Sequence, residues 1–274
     1  MNMRALLAVM RKDLKVAVQN KGVVLPIVMV PVILFVIFPW AFVFGPRLLG
    51  DATNMQSFVS QINHLLSGMP AAMQAQLAGH KPEEMLTIFM LVYGLAPMFL
   101  IMPLMAASVL AADSFAGEKE RKTLEALLYS PTTDRELFAA KLLGPWVASV
   151  VIAWLSFLLY AVMSDLAGWS GMHLLLFPNP MWTALVLWVV PAVAGLGLVV
   201  MVFASARAQG FQDAYQTGGM IVLPILALMA GQMTGVLYFT VGMVFVLGLV
   251  IWLLNVVLLW LASRNFHREQ LMPR

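Results

Sequence analysis

Apolar residues in this chain come in long unbroken blocks, not at the spacing of a surface helix or a half-buried strand. Residues 22–44, 85–112, 142–164 and 181–206 contain no charged side chain. Each is long enough to cross a bilayer core as a helix, which takes about 20 mostly apolar residues. Residues 214–263 form one uncharged block of 50. As a single helix this block would reach about 75 Å, more than twice the hydrocarbon thickness, so it must fold back. Residues 231–235, GQMTG, supply the turn, with two glycines around polar residues. The pattern therefore predicts six spans, at about 22–44, 85–112, 142–164, 181–206, 214–232 and 236–263.

Three segments depart from this pattern. Residues 2–20 read as an amphipathic helix, with Leu7, Met10, Leu14 and Val18 on one face and Arg4, Arg11, Lys12 and Lys15 on the other. A helix of that kind lies in the membrane interface beside anionic head groups. Residues 45–84 form one long loop. Within it, Thr53 and Gln56 make a capping box before Met55, Phe58, Val59, Ile62, Leu65 and Leu66 at helical spacing. Residues 113–141 hold eleven charged residues in an otherwise apolar stretch of chain. From Glu118 to Tyr129 they favour helix, with Glu118–Lys122 and Arg121–Glu125 as i,i+4 pairs and Leu124, Leu127 and Leu128 on an apolar face. Ser130-Pro131 stops that helix. Thr133 and Glu136 then cap the next, which runs into the third span.

Composition agrees. The chain has 274 residues, is 62% hydrophobic and only 11% charged. A soluble domain is nearer half apolar and about a quarter charged. The expected fold class is thus an all-α integral membrane protein: a single domain over residues 1–274 with six transmembrane helices. Fourteen of the sixteen basic residues fall in the N-terminal segment, the loops at 113–141 and 207–213, and the tail; only Arg47 and Lys81 fall on the other side. Lysine and arginine mark the cytoplasmic face. Both termini and the 113–141 loop are therefore expected inside, and residues 45–84 outside. This uneven charge argues for a membrane surface, not nucleic acid. There is no cysteine, and His64, His80, His173 and His267 form no ligand-spaced pair, so no metal site is expected.

The stretch DSFAGEKERKTLEALLYSPTTDRELFAAKLL, beginning at Asp113, resembles the signature of the ABC-2 type permeases, membrane subunits of one class of ATP-binding-cassette exporters. Glu118, Glu120, Thr123, Glu125, Leu127, Leu128, Pro131, Glu136 and Lys141 follow the family's run, while Lys122 stands where glycine is usual. The resemblance extends to the whole layout. It implies that residues 113–141 carry a coupling helix that docks on an ATPase subunit, with Glu118, Glu120, Arg121, Thr123, Leu124, Glu125, Leu127 and Leu128 as the coupling residues. It also implies that two copies pair, a homodimer being expected, around a path lined by spans 2 and 5. Here those spans carry Tyr93, Pro97 and Pro103, and Gly218, Gly219 and Pro224.

The residues fit that role. No G-x-x-x-x-G-K-[ST] phosphate loop occurs, nor any Gly-Lys pair. ATP and magnesium would then sit on a separate ATPase, with no cofactor on this chain and no enzyme activity of its own. A secondary transporter, an alternative, usually keeps ionisable groups at membrane depth, whereas every carboxylate here is expected in a loop or at a span edge, including Asp113, Asp165 and Asp213. For an intramembrane enzyme, a further alternative, GWSG at 168–171 lacks nucleophile-elbow spacing. Uncharged spans suit an amphipathic or hydrophobic cargo such as a drug, antibiotic, peptide or lipid, moved outward across a bacterial-type inner membrane. A sodium exporter is the alternative cargo class.

Overall fold

The computed structural model describes residues 3–48, 68–121, 134–208 and 210–265. Among these, eight helices follow one another. They are α1 (Met3–Gln19), α2 (21–48), α3 (Ala71–Leu77), α4 (82–120), α5 (Asp134–Met172), α6 (180–207), α7 (Phe211–Met233) and α8 (Val241–Asn265). Six of them, α2 and α4–α8, are long and apolar enough to span a membrane. The chain is an all-α membrane protein. The expected external helix at 53–66 and the coupling residues Thr123, Leu124, Glu125, Leu127 and Leu128, with Pro131, lie outside the described residues. The short helix α3 was not anticipated: AAMQAQL has little helical periodicity, and Pro70 sits at its N-cap position.

Span α4 is the centre of the bundle. It packs between α5 and α6, and 78% of its most apolar window is buried, against 67% for α6 and only 17% for α7. Close approach comes from small residues. A Cβ on Gly197 would sit 2.9 Å from the Leu104 carbonyl oxygen, so glycine there brings α6 onto the backbone of α4. Aromatic rings fill the core beside this contact. Trp182 lies 5.3 Å from Phe99 and 5.1 Å from Tyr160, centroid to centroid.

The spans are not regular α-helices, and proline explains most of the departures. Four π or 3₁₀ segments, at 33–37, 89–94, 185–189 and 219–222, interrupt them, as does the break at Leu100. Each interruption lies at or next to the residue four before a proline: Pro39, Pro97, Pro191, Pro224 and Pro103 respectively. Proline removes that hydrogen bond and its ring presses on that carbonyl. In a bilayer the freed groups need partners from the protein. Here Leu95 N–H reaches back to Met90 O at 2.9 Å. The Leu91 carbonyl accepts from the Tyr160 hydroxyl, and that of Val92 from Trp182 Nε1 at 2.6 Å. Around 185–189, Trp154 Nε1 donates to Val186 O and Trp252 Nε1 to Trp188 O. One π segment has no such origin. Residues 113–117 precede Arg121, not a proline, and lie at the charged end of α4.

Helix α1 leaves Leu7 and Val18 outward, 51% and 72% exposed, while Asp13 and Ala17 are buried. Met10 packs over Gly144. The helices run past the expected ends of two spans: α4 stays helical to Glu120, and α5 runs on to Met172. In α5, Asp165 Oδ1 accepts from Leu176 N (2.7 Å) and Phe177 N (3.0 Å), folding the next turn back onto the helix.

Gly197→Ala should wedge α6 from α4 and lower stability by about 1–3 kcal/mol. Gly242→Ala, where a Cβ meets nothing within 4 Å, should not. Thermal unfolding of the purified protein in detergent compares them; equal melting temperatures would contradict the close-packing account.

Candidate functional site: a buried ionic cluster at the charged end of α4

The last turns of α4 carry Asp113, Ser114 and Glu118 into contact with α1 and α5. Asp113 is 2% exposed, Glu118 4% and Lys141 of α5 1%. Lys141 Nζ donates to Glu118 Oε2 and, at 2.7 Å, to the Ser114 carbonyl. It also lies 5.4 Å from the centre of the Phe115 ring. Glu118 Oε1 accepts from Lys12 of α1. Asp13 Oδ1 is 3.0 Å from Lys12 Nζ, and its Oδ2 accepts from Ser114 Oγ at 2.9 Å and lies 4.0 Å from Lys141 Nζ. One turn away, Asp113 Oδ1 accepts from Arg121 Nη1 (3.1 Å) and from Asn20 Nδ2 (3.0 Å).

Three carboxylates, Asp13, Asp113 and Glu118, thus meet three cations, Lys12, Arg121 and Lys141. The balance matters because each buried charge carries a desolvation penalty of several kcal/mol that only well-made partners offset. Every described pairing but one, Lys12–Asp13, joins different helices or spans a helical turn, so the cluster fastens α1 and α5 to the end of α4. The π segment at 113–117 belongs to the same arrangement. A Cβ on Gly117 would fall 3.1 Å from both Arg121 Nη2 and Asp113 Oδ1, so the glycine leaves room for that pair to close over the backbone. Such π-bulges recur at functional sites.

The cluster contains two of the expected coupling residues, Glu118 and Arg121. Glu118 is its buried centre. Arg121 sits at its exposed rim on Asp113. Glu120 is turned away, accepting from Phe211 N at 3.0 Å at the start of α7. Lys141 enters the third span as expected, but inside the protein. Sequence reasoning missed Asp13, Asp113, Ser114, Asn20 and Lys12. A signal existed for one: Asp13 is the one acidic residue in the first 50, and it shares the helical stripe of Met10 and Ala17.

The expected path residues lie on α4 and α7, which pack against each other. Tyr93, Pro97 and Pro103 are buried within the bundle, and Gly218 lies under Met201. Gly219 and Pro224 are exposed on α7. At the opposite end of the bundle from the cluster, a cavity of about 250 Å³ is lined by Gln76, His80, Val92, Leu175 and Asn179, among others. Its polar groups are engaged: Gln76 accepts from the Tyr93 hydroxyl, Asn179 caps α6 at Met181 N, and His80 faces Glu84 at 3.6 Å.

A family model for ABC-2 family transporter proteins matches residues 7–263, and the chain belongs to that family. It is a membrane-spanning transport subunit of ATP-binding-cassette type, and the family implies an ATPase partner. No curated protein and no solved structure matches the chain.

Burial works against the charge on Lys12. The bonds and fields of Glu118 and Asp13 outweigh it and hold the ammonium above its ordinary 10.5. A folded value above the unfolded one means the contribution is complete below that value and is lost as pH rises past the raised one. The side chain is 42% exposed, so the effect is small. Lys12→Met should flatten the alkaline limb of a stability–pH curve. Lys141→Met strands buried carboxylates and should lower stability by about 3–5 kcal/mol. Adding Glu118→Gln should restore part of it, as read by thermal unfolding. An unchanged Lys141→Met variant would show that the pair does not hold the helices together.

Proposed function

We propose that this chain is the permease half of an exporter driven by ATP hydrolysis on a separate ATPase subunit, and that residues 113–141 receive that subunit. The carrying observation is the ionic cluster, because it fastens the root of the loop to α1 and α5 at once. A push on the loop is then delivered to three helices and not absorbed by a single flexible connection. Glu118 and Lys141 anchor, Arg121 and Asp113 close the rim, and Thr123, Leu124, Glu125, Leu127 and Leu128 form the docking face. ATP and magnesium bind the partner, and this chain itself carries no cofactor.

The end of the bundle bearing the cluster is cytoplasmic, as the basic residues require. Exposed Leu7 and Val18 of α1, beside exposed Arg11 and Lys15, face lipid tails and anionic head groups of the inner leaflet. Two copies form the path. Span α7, with Met220, Leu223 and Leu226 exposed, has the least-covered surface and supplies the contact between them. The uncharged middle of the spans suits an amphipathic or hydrophobic substrate carried outward.

Three measurements check this reading. A cysteine at Gly171 should label from outside intact cells, and one at Lys15 only after permeabilisation. The permease should co-purify with an ATPase, and Glu125→Ala should weaken ATP hydrolysis by the complex without reducing membrane insertion. Inverted vesicles supplied with ATP should accumulate an amphipathic fluorescent dye. Accumulation of radioactive sodium instead would assign the sodium-exporting alternative, and normal coupling in Glu125→Ala would remove the docking role.

A further inference from the structure

Two hydrogen bonds join the end of α4 to the turn between α6 and α7. Lys119 Nζ donates to the carbonyl of Ala208, just past α6, at 2.9 Å. Glu120 Oε2 accepts from Phe211 N, the first residue of α7, at 3.0 Å. A carboxylate at that position also favours the positive end of the helix dipole. Gly210 makes the approach possible, since a Cβ there would lie 2.7 Å from the same carboxylate oxygen. Consecutive residues at the root of the charged loop therefore hold both sides of the α6–α7 turn.

Span α7 is not one rigid rod. Its first part, Phe211–Gly218, packs against α6 and against residues 101–117 of α4. Its second part, Leu223–Met233, packs against residues 89–99 of α4. Between them lie Gly218, Gly219 and a 3₁₀ turn, Gly219–Val222. Pro224 removes the hydrogen bond that would continue the α-helix through that turn. Packing accounts for Gly218, since a Cβ there would meet Met201 Cε at 2.5 Å. It does not account for Gly219, where a Cβ would meet nothing within 4 Å. Nor does the backbone require it, because Gly219 has φ −63°. What remains is the freedom glycine gives to a chain that must bend.

We infer that Lys119 and Glu120 form a clasp that makes residues 211–218 move with the end of α4, and that Gly219 is the hinge about which they swing. The clasp stays closed while the loop moves, so Glu120 is a positioning residue that passes motion into α7 and touches no substrate. This rests on the reading that the loop receives the ATPase.

The test uses the permease–ATPase complex in lipid nanodiscs, spin-labelled in pairs. One pair joins Gln216 to Leu155 of α5, the other Ala227 to Leu155, all exposed. Trapping with ATP and vanadate should shift the Gln216 distance and leave the Ala227 distance nearly unchanged. Glu120→Ala should abolish the Gln216 shift, while Glu120→Gln, whose amide oxygen still accepts from Phe211 N, should retain it. Gly219→Ala should reduce both the shift and ATP turnover several-fold while its melting temperature stays equal or rises. A merely structural glycine would not produce that combination. Equal shifts at both pairs, or a full Gln216 shift in Glu120→Ala, would overturn the hinge and leave the docking role of the loop standing. No nucleotide-driven shift at either pair would overturn both.

Discussion

Glu118 and Lys141 are an ion pair almost wholly buried in the bundle, and the arrangement of the surrounding helices follows from that. A buried carboxylate or ammonium left alone is heavily destabilising. Each therefore has to be met by groups brought from elsewhere in the chain. Lys12 is drawn in from 106 positions away, Asp13 turns inward beside it, and Ser114 supplies both its hydroxyl and its carbonyl. The end of α4 remains helical as far as Glu120 because these partners meet charges that would otherwise seek water. The same requirement turns Asp13 of α1 inward and leaves Leu7 and Val18 outward.

The middle of the bundle is governed by a complementary constraint. No water is present there to satisfy backbone groups, so every proline that breaks a span needs a donor or acceptor nearby. Tryptophan indoles and the Tyr160 hydroxyl meet that need at Leu91, Val92, Val186 and Trp188. At 89–94 and 185–189, irregular helix and tryptophan placement go together. The π segment at 113–117, which has no proline to explain it, belongs instead to the ionic cluster. At the charged end of α4, Lys119 and Glu120 attach the start of α7, the least-covered span, to the same root.

Much of this was legible in the sequence, for a physical reason. A bilayer writes its thickness into the chain as uninterrupted apolar blocks, so the spans and the GQMTG turn, which ends with Gly235 at φ 74°, could be read one residue at a time. The charged loop stood out by contrast with its flanks. The partners inside the cluster could not be read, because Asp13–Ser114 and Lys12–Glu118 join segments about a hundred residues apart and no local pattern encodes such a pairing. The apolar spacing of α1 was legible, but the inward turn of Asp13 was not, because partners distant in sequence decide it. Similarly, Glu120 was legible as a loop carboxylate but not as a cap on α7.

The central claim is that the buried pair transmits work between the charged loop and the spans, beyond holding the fold. A double-mutant cycle on Glu118→Gln and Lys141→Met tests it most directly, with ATP hydrolysis by the reconstituted permease–ATPase complex as the readout. The account predicts strong non-additivity, an interaction of about 1–3 kcal/mol in the range seen for contacting residues, at a temperature where all four proteins remain folded. Effects that add to within about 0.5 kcal/mol, the behaviour of independent sites, would contradict it.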